Sequence, residues 1–328
     1  MQNSVAATAA SMPAATQRRR IGSFGDRVFE WLCRVSGLLL LAILGAIILS
    51  LFIGGLPAFQ AAGIGFIWSA EWNPVEGREA YGALVPMFGT LLTSALAILM
   101  AVPLAFGIAF FLTELAPPWL KRPVGTAIEL LAAIPSIIYG MWGLFVLVPF
   151  IQMSIQIPFG ETLGALPVIG WVFESNNFAG TSVFAASVVL AIMILPFIAA
   201  TMRDVFDQVP PVYKESAYGV GATRWEVMRG VVLPYTRHSV VGGIMLGLGR
   251  ALGETMAVTF VIGNANRLPG SLFDPTNTIA SVVALEFPES LMGSLKQSAL
   301  LAIGFLLFVI SFLVLAASRW MLRSRLKA

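Results

Sequence analysis

The chain has 328 residues, of which 58% are hydrophobic and only 11% charged, a balance foreign to soluble domains that puts most of the chain in lipid. Its net charge of +3 comes from small basic clusters beside apolar runs rather than from one basic face, which argues against nucleic-acid binding. A single cysteine, Cys33, and a single histidine, His238, exclude an internal disulfide and a Cys/His metal site.

Residues 1–24 begin Ala-, Ser- and Thr-rich, ahead of the arginines at 18–20. A secretory signal places its charge first, so this segment reads as a disordered cytoplasmic tail. From Gly25 to Arg34, charged residues alternate with Val28, Phe29, Trp31 and Leu32 at helical spacing. That pattern suits a short helix lying in the membrane interface, or a snorkelling flank of the first span.

Crossing the hydrocarbon core takes about 20 apolar residues in a helix. Six stretches qualify: 35–55, 84–112, 126–150, 181–201, 239–263 and 297–318. The expected fold is therefore all-α, a polytopic protein of six transmembrane helices occupying residues 35–328, with its core at 84–318. Pro103 inside the second stretch favours a tilt or kink there. Glu129, just inside the third, reads as a residue snorkelling to the interface, and Pro135 removes a backbone hydrogen bond and can bend that helix.

Sixteen of the twenty Lys and Arg fall in the N-terminal segment, the 113–125 turn, the 202–238 loop and the C-terminal tail. The positive-inside rule then makes both termini cytoplasmic and turns 56–83, 151–180 and 264–296 outward. Arg250 lies inside a span.

The longest cytoplasmic connection, 203–238, carries helix signals. Pro211 suits a first helical position, Val212 to Val220 the body, and Gly221 a C-terminal stop that needs positive φ. Thr223 and Glu226 have capping-box spacing, so a second short helix is expected from there to about Val232, closed by Pro234. Two short helices at a glycine corner make a rigid protrusion suited to docking.

Glu215-Ser216-Ala217, three residues, Gly221, nine residues, then Val231-Val232-Leu233-Pro234 resembles the EAA loop of ABC importer permeases, E-A-A-x3-G-x9-I-x-L-P. The resemblance implies a type I permease fold and a coupling helix seated in a groove of an ATPase subunit. No lysine of the chain follows a glycine, so the chain has no G-x4-G-K-[ST] phosphate loop. The ATPase, with its ATP and Mg, belongs to another chain.

Arg250 and Glu254 lie near the middle of the fifth stretch, four residues apart and so on one helical face. Each costs on the order of 2.5–3.5 kcal/mol at the bilayer centre on insertion scales. Either they pair as a packing salt bridge, or they face a pathway in which Arg250 offers its fork of N–H donors to an oxyanion while Glu254 holds the guanidinium. Gly243 with Gly247, and Gly249 with Gly253, allow close helix approach.

Arg250-Ala251-Leu252-Gly253-Glu254-Thr255-Met256-Ala257 is similar to the corresponding span of phosphate importer permeases of the PstC type. Sulfate and molybdate permeases carry a related R-x-x-G-E, and Thr255 onward tilts toward phosphate. Trp72-Asn73-Pro74, Tyr81-Gly82-Ala83 and the run from Glu129 to Ser136 agree with this. The resemblance implies a phosphate pathway at Arg250, Glu254 and Thr255, and an ATPase contact at Glu215, Ser216, Ala217, Gly221, Leu233 and Pro234. It further implies a bacterial inner-membrane complex with a second permease (PstA type), an ATPase dimer (PstB type) and an external phosphate-binding protein (PstS type). The rival readings are an ion-coupled secondary transporter, against which the loop spacing argues, and a membrane-embedded enzyme, for which no His-rich, Cys–His or paired-carboxylate cluster is present.

Overall fold

The computed structural model describes residues 24–75, 77–162, 164, 170–174 and 179–324. The expected tail at 1–23 and the last four residues lie outside the described residues. The chain divides into two compact units, one up to Leu49 and one from Ser50.

In the first unit, the described residues belong to α1 (Phe24–Ala62), so no break separates 25–34 from the apolar run that follows. Leu38, Leu39, Leu40 and Leu41 are all exposed. A helix that is apolar on every side and uncovered by its own chain needs an apolar solvent.

In the second unit, the end of α1 packs on the last helix, α15 (Leu295–Ser324). The Phe52 and Phe305 rings lie 5.2 Å apart, and Gly55 lets the α1 backbone approach within reach of Ala302, where an added Cβ would sit 2.8 Å from the Ala302 Cα. A short helix, α2 (Gly65–Trp68), leads to a two-stranded antiparallel hairpin, β1 (Trp72–Asn73) and β2 (Ala80–Tyr81), the one sheet among the described residues. Next, α3 (Leu84–Phe110) runs unbroken through Pro103 and ends in a π-helical turn, Phe111–Leu115.

The chain returns through α4 (Pro118–Ala132), then α5 (Ser136–Trp142), α6 (Val148–Ile151) and α7 (Ile157–Thr162), the last three joined by π-helical turns. After α8 (Gly170–Phe173) comes α9 (Val183–Asp207). Then follow α10 (Pro211–Gly219), α11 (Arg224–Val227), a π-helical turn Met228–Val232, α12 (Leu233–Leu252), α13 (Met256–Val261) and α14 (Ile279–Glu286).

The core is built around α9, whose most apolar stretch is 67% buried against 28% for the α3 span. It packs on α3, α4, α12 and α13. The α3 side of this contact is a row of fully buried alanines, Ala97, Ala101, Ala105 and Ala109, whose four-residue spacing lets two backbones approach. Gly243 and Gly247 do the same on α12: a Cβ at either would lie 2.7 Å from Thr201 or Ile198 of α9. Gly249 and Gly253 meet no such neighbour within the chain.

Among the described residues, five helices are long and apolar enough to cross a membrane: Gly25–Ala62, Leu84–Leu115, Ser136–Thr162, Val183–Asp207 and Leu295–Trp320. The expected third span, 126–150, is corrected. Pro135 cannot donate to the helix ladder and pushes Ile134 out of helical geometry, so α4 stops at Ala132 and the long helix starts at Ser136. The expected fifth span, 239–263, is likewise not one helix. It is α12 followed by α13, interrupted at Gly253–Thr255.

The two interrupted segments pack together through α5 and α13. Gly140 makes this contact possible, because an added Cβ would lie 2.8 Å from the Phe260 ring and 2.9 Å from the Ala257 Cα. Gly140→Leu should therefore destabilise the solubilised chain by about 1–3 kcal/mol, the usual cost of overpacking. Gly107→Leu, where nothing lies within 4 Å, should leave the thermal midpoint unchanged. Equal midpoints for the two variants would contradict the close approach.

Candidate functional site

The loop after α9 folds as its sequence signals direct. Pro211 occupies the first turn of α10, where its missing N–H leaves no bond unmade. The helix ends in a Schellman turn: Ala222 N–H donates to the Ala217 carbonyl at 3.1 Å and Gly221 N–H to the Tyr218 carbonyl at 2.9 Å. Gly221 has φ +90°, the left-handed conformation this turn requires. Ala217 and Gly221 thus belong to one turn, Ala217 accepting its outer hydrogen bond and Gly221 donating its inner one.

Thr223 and Glu226 form the capping box. The Thr223 hydroxyl accepts from Glu226 N–H at 3.3 Å, and the Glu226 carboxylate accepts from Thr223 N–H at 2.7 Å. That backbone donor, helped by the Thr223 hydroxyl, holds the Glu226 carboxyl below its usual pKa.

Pro234 does not close a separate helix, contrary to the expectation from its ring. It sits in the first turn of α12, and α11 passes into α12 through the π-helical turn at Met228–Val232. The wider π turn absorbs the missing donor without a stop. The protrusion is therefore one short helix, a glycine corner and the base of a long helix.

The motif residues divide by exposure. Glu215 and Ser216 face solvent, Ser216 donating to the Val212 carbonyl at 2.7 Å, while Ala217 and Leu233 are half-buried against the main core. Val212 and Val220, at 67% and 87% exposure, leave apolar surface uncovered beside them.

A carboxylate that the sequence did not mark joins this loop to the second span. Glu114 lies in the π turn that ends α3. It accepts from Lys214 Nζ at 2.7 Å and Tyr218 Oη at 3.1 Å, and its backbone carbonyl accepts from Arg224 at 2.9 Å. Burial and the Glu114 charge raise the pKa of Tyr218. Trp225 packs edge-on against Phe106 and Phe110, with centroids at 6.2 and 5.8 Å. Glu129, expected to snorkel, instead accepts from Arg203 of α9 at 2.8 Å.

The second assembly is the pair of interruptions. Gly140, one turn past the first, meets Met256 and Ala257, just past the second, which puts the two breaks at neighbouring levels. The Tyr139 hydroxyl reaches back across the first break to the Leu131 carbonyl at 2.9 Å, adding a donor to a helix end whose own bond from Ile134 N–H is 3.3 Å long.

Arg250 and Glu254 do not pair; among the described residues the ion pairs found join other groups. Their four-residue spacing puts them on one face only in a continuous helix, and the helix ends at Leu252. Glu254 instead accepts from Ala257 N–H at 3.2 Å, capping α13. Thr255 stands at the N-cap position, where its hydroxyl donates to the Gly253 carbonyl at 3.4 Å and its carbonyl accepts from Thr259. Arg250 is exposed in the last turn of α12, where the negative end of the helix favours a cation. Among the described residues no group of His, Cys, Asp or Glu is placed to hold a metal ion.

The chain is similar to known proteins. Residues 101–327 match the family described as "Binding-protein-dependent transport system inner membrane component". The phosphate transport system permease protein PstC of Pasteurella multocida (strain Pm70) is 57% identical over 294 residues, covering 90% of both chains. The protein of the same description in Haemophilus influenzae is 54% identical, covering 90% of this chain and 93% of that one. The probable phosphate transport system permease protein PstC of Methanocaldococcus jannaschii is 37% identical over 80% of this chain and 82% of its own. Among solved structures, a bacterial alginate ABC transporter in complex with an alginate pentasaccharide-bound periplasmic protein superposes with a TM-score of 0.60, covering 92% of this chain and 98% of that chain. At 16% identity that likeness speaks for the fold alone. The chain belongs to the binding-protein-dependent transport system inner membrane components, in their PstC branch.

Proposed function

We propose that the chain is a permease subunit of an ATP-driven importer that moves inorganic phosphate into the cytoplasm by alternating access. The observation that carries the cargo is the 57% identity, over 90% of both chains, to a phosphate transport system permease protein. The fold supports the transport role: long apolar helices form the walls, and two interrupted ones stand side by side.

In this reading Arg250 faces the pathway. An exposed guanidinium inside an otherwise apolar stretch requires water, an anion or a partner chain, and its planar donors match a phosphate oxyanion. Glu254 takes the Ala257 N–H of α13, and its negative charge offsets the pull of that helix N-terminus on an anion held by Arg250. That keeps binding weak enough for release. Thr255, next after Glu254, offers a hydroxyl at the same interruption.

The ATPase contact is assigned to Glu215, Ser216, Ala217 and Gly221, with the uncovered Val212 and Val220 as its apolar part and Leu233 and Pro234 as its root. ATP and Mg are used on a PstB-type dimer; a PstA-type permease completes the pathway and a PstS-type protein delivers phosphate from outside. Both termini lie in the cytoplasm, on the side of this loop, and residues 25–34 rest in the membrane interface.

Radiolabelled phosphate uptake by the reconstituted complex, with sulfate and molybdate as competitors, tests the cargo: excess unlabelled phosphate should suppress uptake and the other two should not. Stronger suppression by sulfate or molybdate would reassign it. Arg250→Gln should lower uptake by on the order of 100-fold while the complex still assembles, in line with truncating one partner of a charged hydrogen-bonded pair. Loss of assembly instead would make Arg250 a packing residue. Gly221→Val forces a branched side chain into φ +90°, a strain of about 1–3 kcal/mol, and should detach the ATPase or uncouple its hydrolysis from uptake. Wild-type coupling in that variant would reject the loop assignment.

A further inference from the structure

The polar contacts between the coupling loop and the second span converge on one side chain. Glu114 is 9% exposed and its partner Lys214 17%, so the pair is shielded from water and its geometry is held by its surroundings. Lys214 and Tyr218 stand four residues apart on one face of α10, and each takes one oxygen of the same carboxylate. Arg224, on the far side of the glycine corner, takes the Glu114 carbonyl. Lys214 also donates to the carbonyl of Phe206, near the end of α9, at 3.3 Å.

The backbone is shaped to place this carboxylate. The π-helical turn at Phe111–Leu115 adds one residue to the helix turn, which swings the residues after it by about 100° relative to an unbroken α-helix. Such turns cost hydrogen-bond geometry and cluster where a side chain must be aimed. The apolar contacts of the same interface, Trp225 on Phe106 and Phe110, can slide with little change in energy. A carboxylate gripped by two donors on one helix cannot move against them without breaking shielded, charge-assisted bonds.

We propose that Glu114 is a positioning residue that carries movement of the coupling loop into the second span. This rests on the reading of the loop as the ATPase-docking segment. ATP-driven displacement of α10 pulls on Glu114 through Lys214 and Tyr218, and span two, packed along its alanine row on α9, moves with it.

The test is the ratio of phosphate transported to ATP hydrolysed in the complete reconstituted complex. Glu114→Gln should keep the ATPase subunit bound and hydrolysis within about two-fold, while the ratio falls by about ten-fold or more, a coupling loss of ordinary allosteric size. Tyr218→Phe, which removes one bond and perturbs folding little, should lower the ratio by a smaller factor. The exchange Glu114→Lys with Lys214→Glu should regain most of the lost coupling. An unchanged ratio in Glu114→Gln, loss of ATPase binding together with the ratio, or no recovery in the exchange would each overturn the proposal. The docking reading fails separately if Ser216→Cys in otherwise wild-type protein forms no cross-link to the ATPase subunit.

Discussion

Inside a bilayer a backbone N–H or C=O has no water to turn to, so each must be satisfied within its own helix or by a specific neighbour. That constraint separates the parts of this chain. The helices at 84–115, 183–207 and 295–320 meet it by continuity, α3 even carrying Pro103 without a break. The segments around Ile134 and Glu254 violate it and are rescued by side chains. Tyr139 adds a donor to the Leu131 carbonyl of α4, which otherwise takes only the stretched N–H groups of its own terminal turn, and Glu254 accepts the Ala257 N–H of α13. Both hydrogen bonds lie beside the α5–α13 contact, where polar groups are held at span level.

The loop between α9 and α12 obeys a different requirement. A short helix on its own is marginal in water. Rigidity here comes from closed hydrogen-bond rings: the Schellman turn at Ala217–Ala222, the capping box at Thr223–Glu226, and the three donors on Glu114. These leave α10 fixed in orientation while Val212 and Val220 remain uncovered. A rigid body with an apolar outer surface is suited to docking, since little conformational freedom is lost on binding.

Much of this was legible in the sequence because it is local. Apolar run length identified three spans to within a few residues at their starts, and the Pro, Gly and Thr–x–x–Glu signals located the start and stop of α10 and the start of α11. The misreadings have one cause: composition registers hydropathy but not whether a helix is continuous. Thus 126–150 passed as a span although Pro135 splits it, and Arg250 and Glu254 were placed on one face although the helix ends between them. Pro234 was taken for a stop because a π turn, which removes the steric penalty, has no sequence signature. Glu114 was missed for another reason. Its partners lie 100 and more residues away, and a lone acid after an apolar run looks like any interfacial residue.

The central claim is that the interruption at Gly253–Thr255 borders a water-filled anion path. It is most directly tested by thiol accessibility in the assembled complex, with Cys33 replaced by Ser and a single cysteine introduced as Thr255→Cys. A membrane-impermeant thiol reagent should label it, and millimolar phosphate should slow the labelling while Leu99→Cys, on an exposed apolar face of α3, stays unreactive. Inertness at Thr255→Cys in every nucleotide state, or labelling indifferent to phosphate, would contradict a pathway at this break.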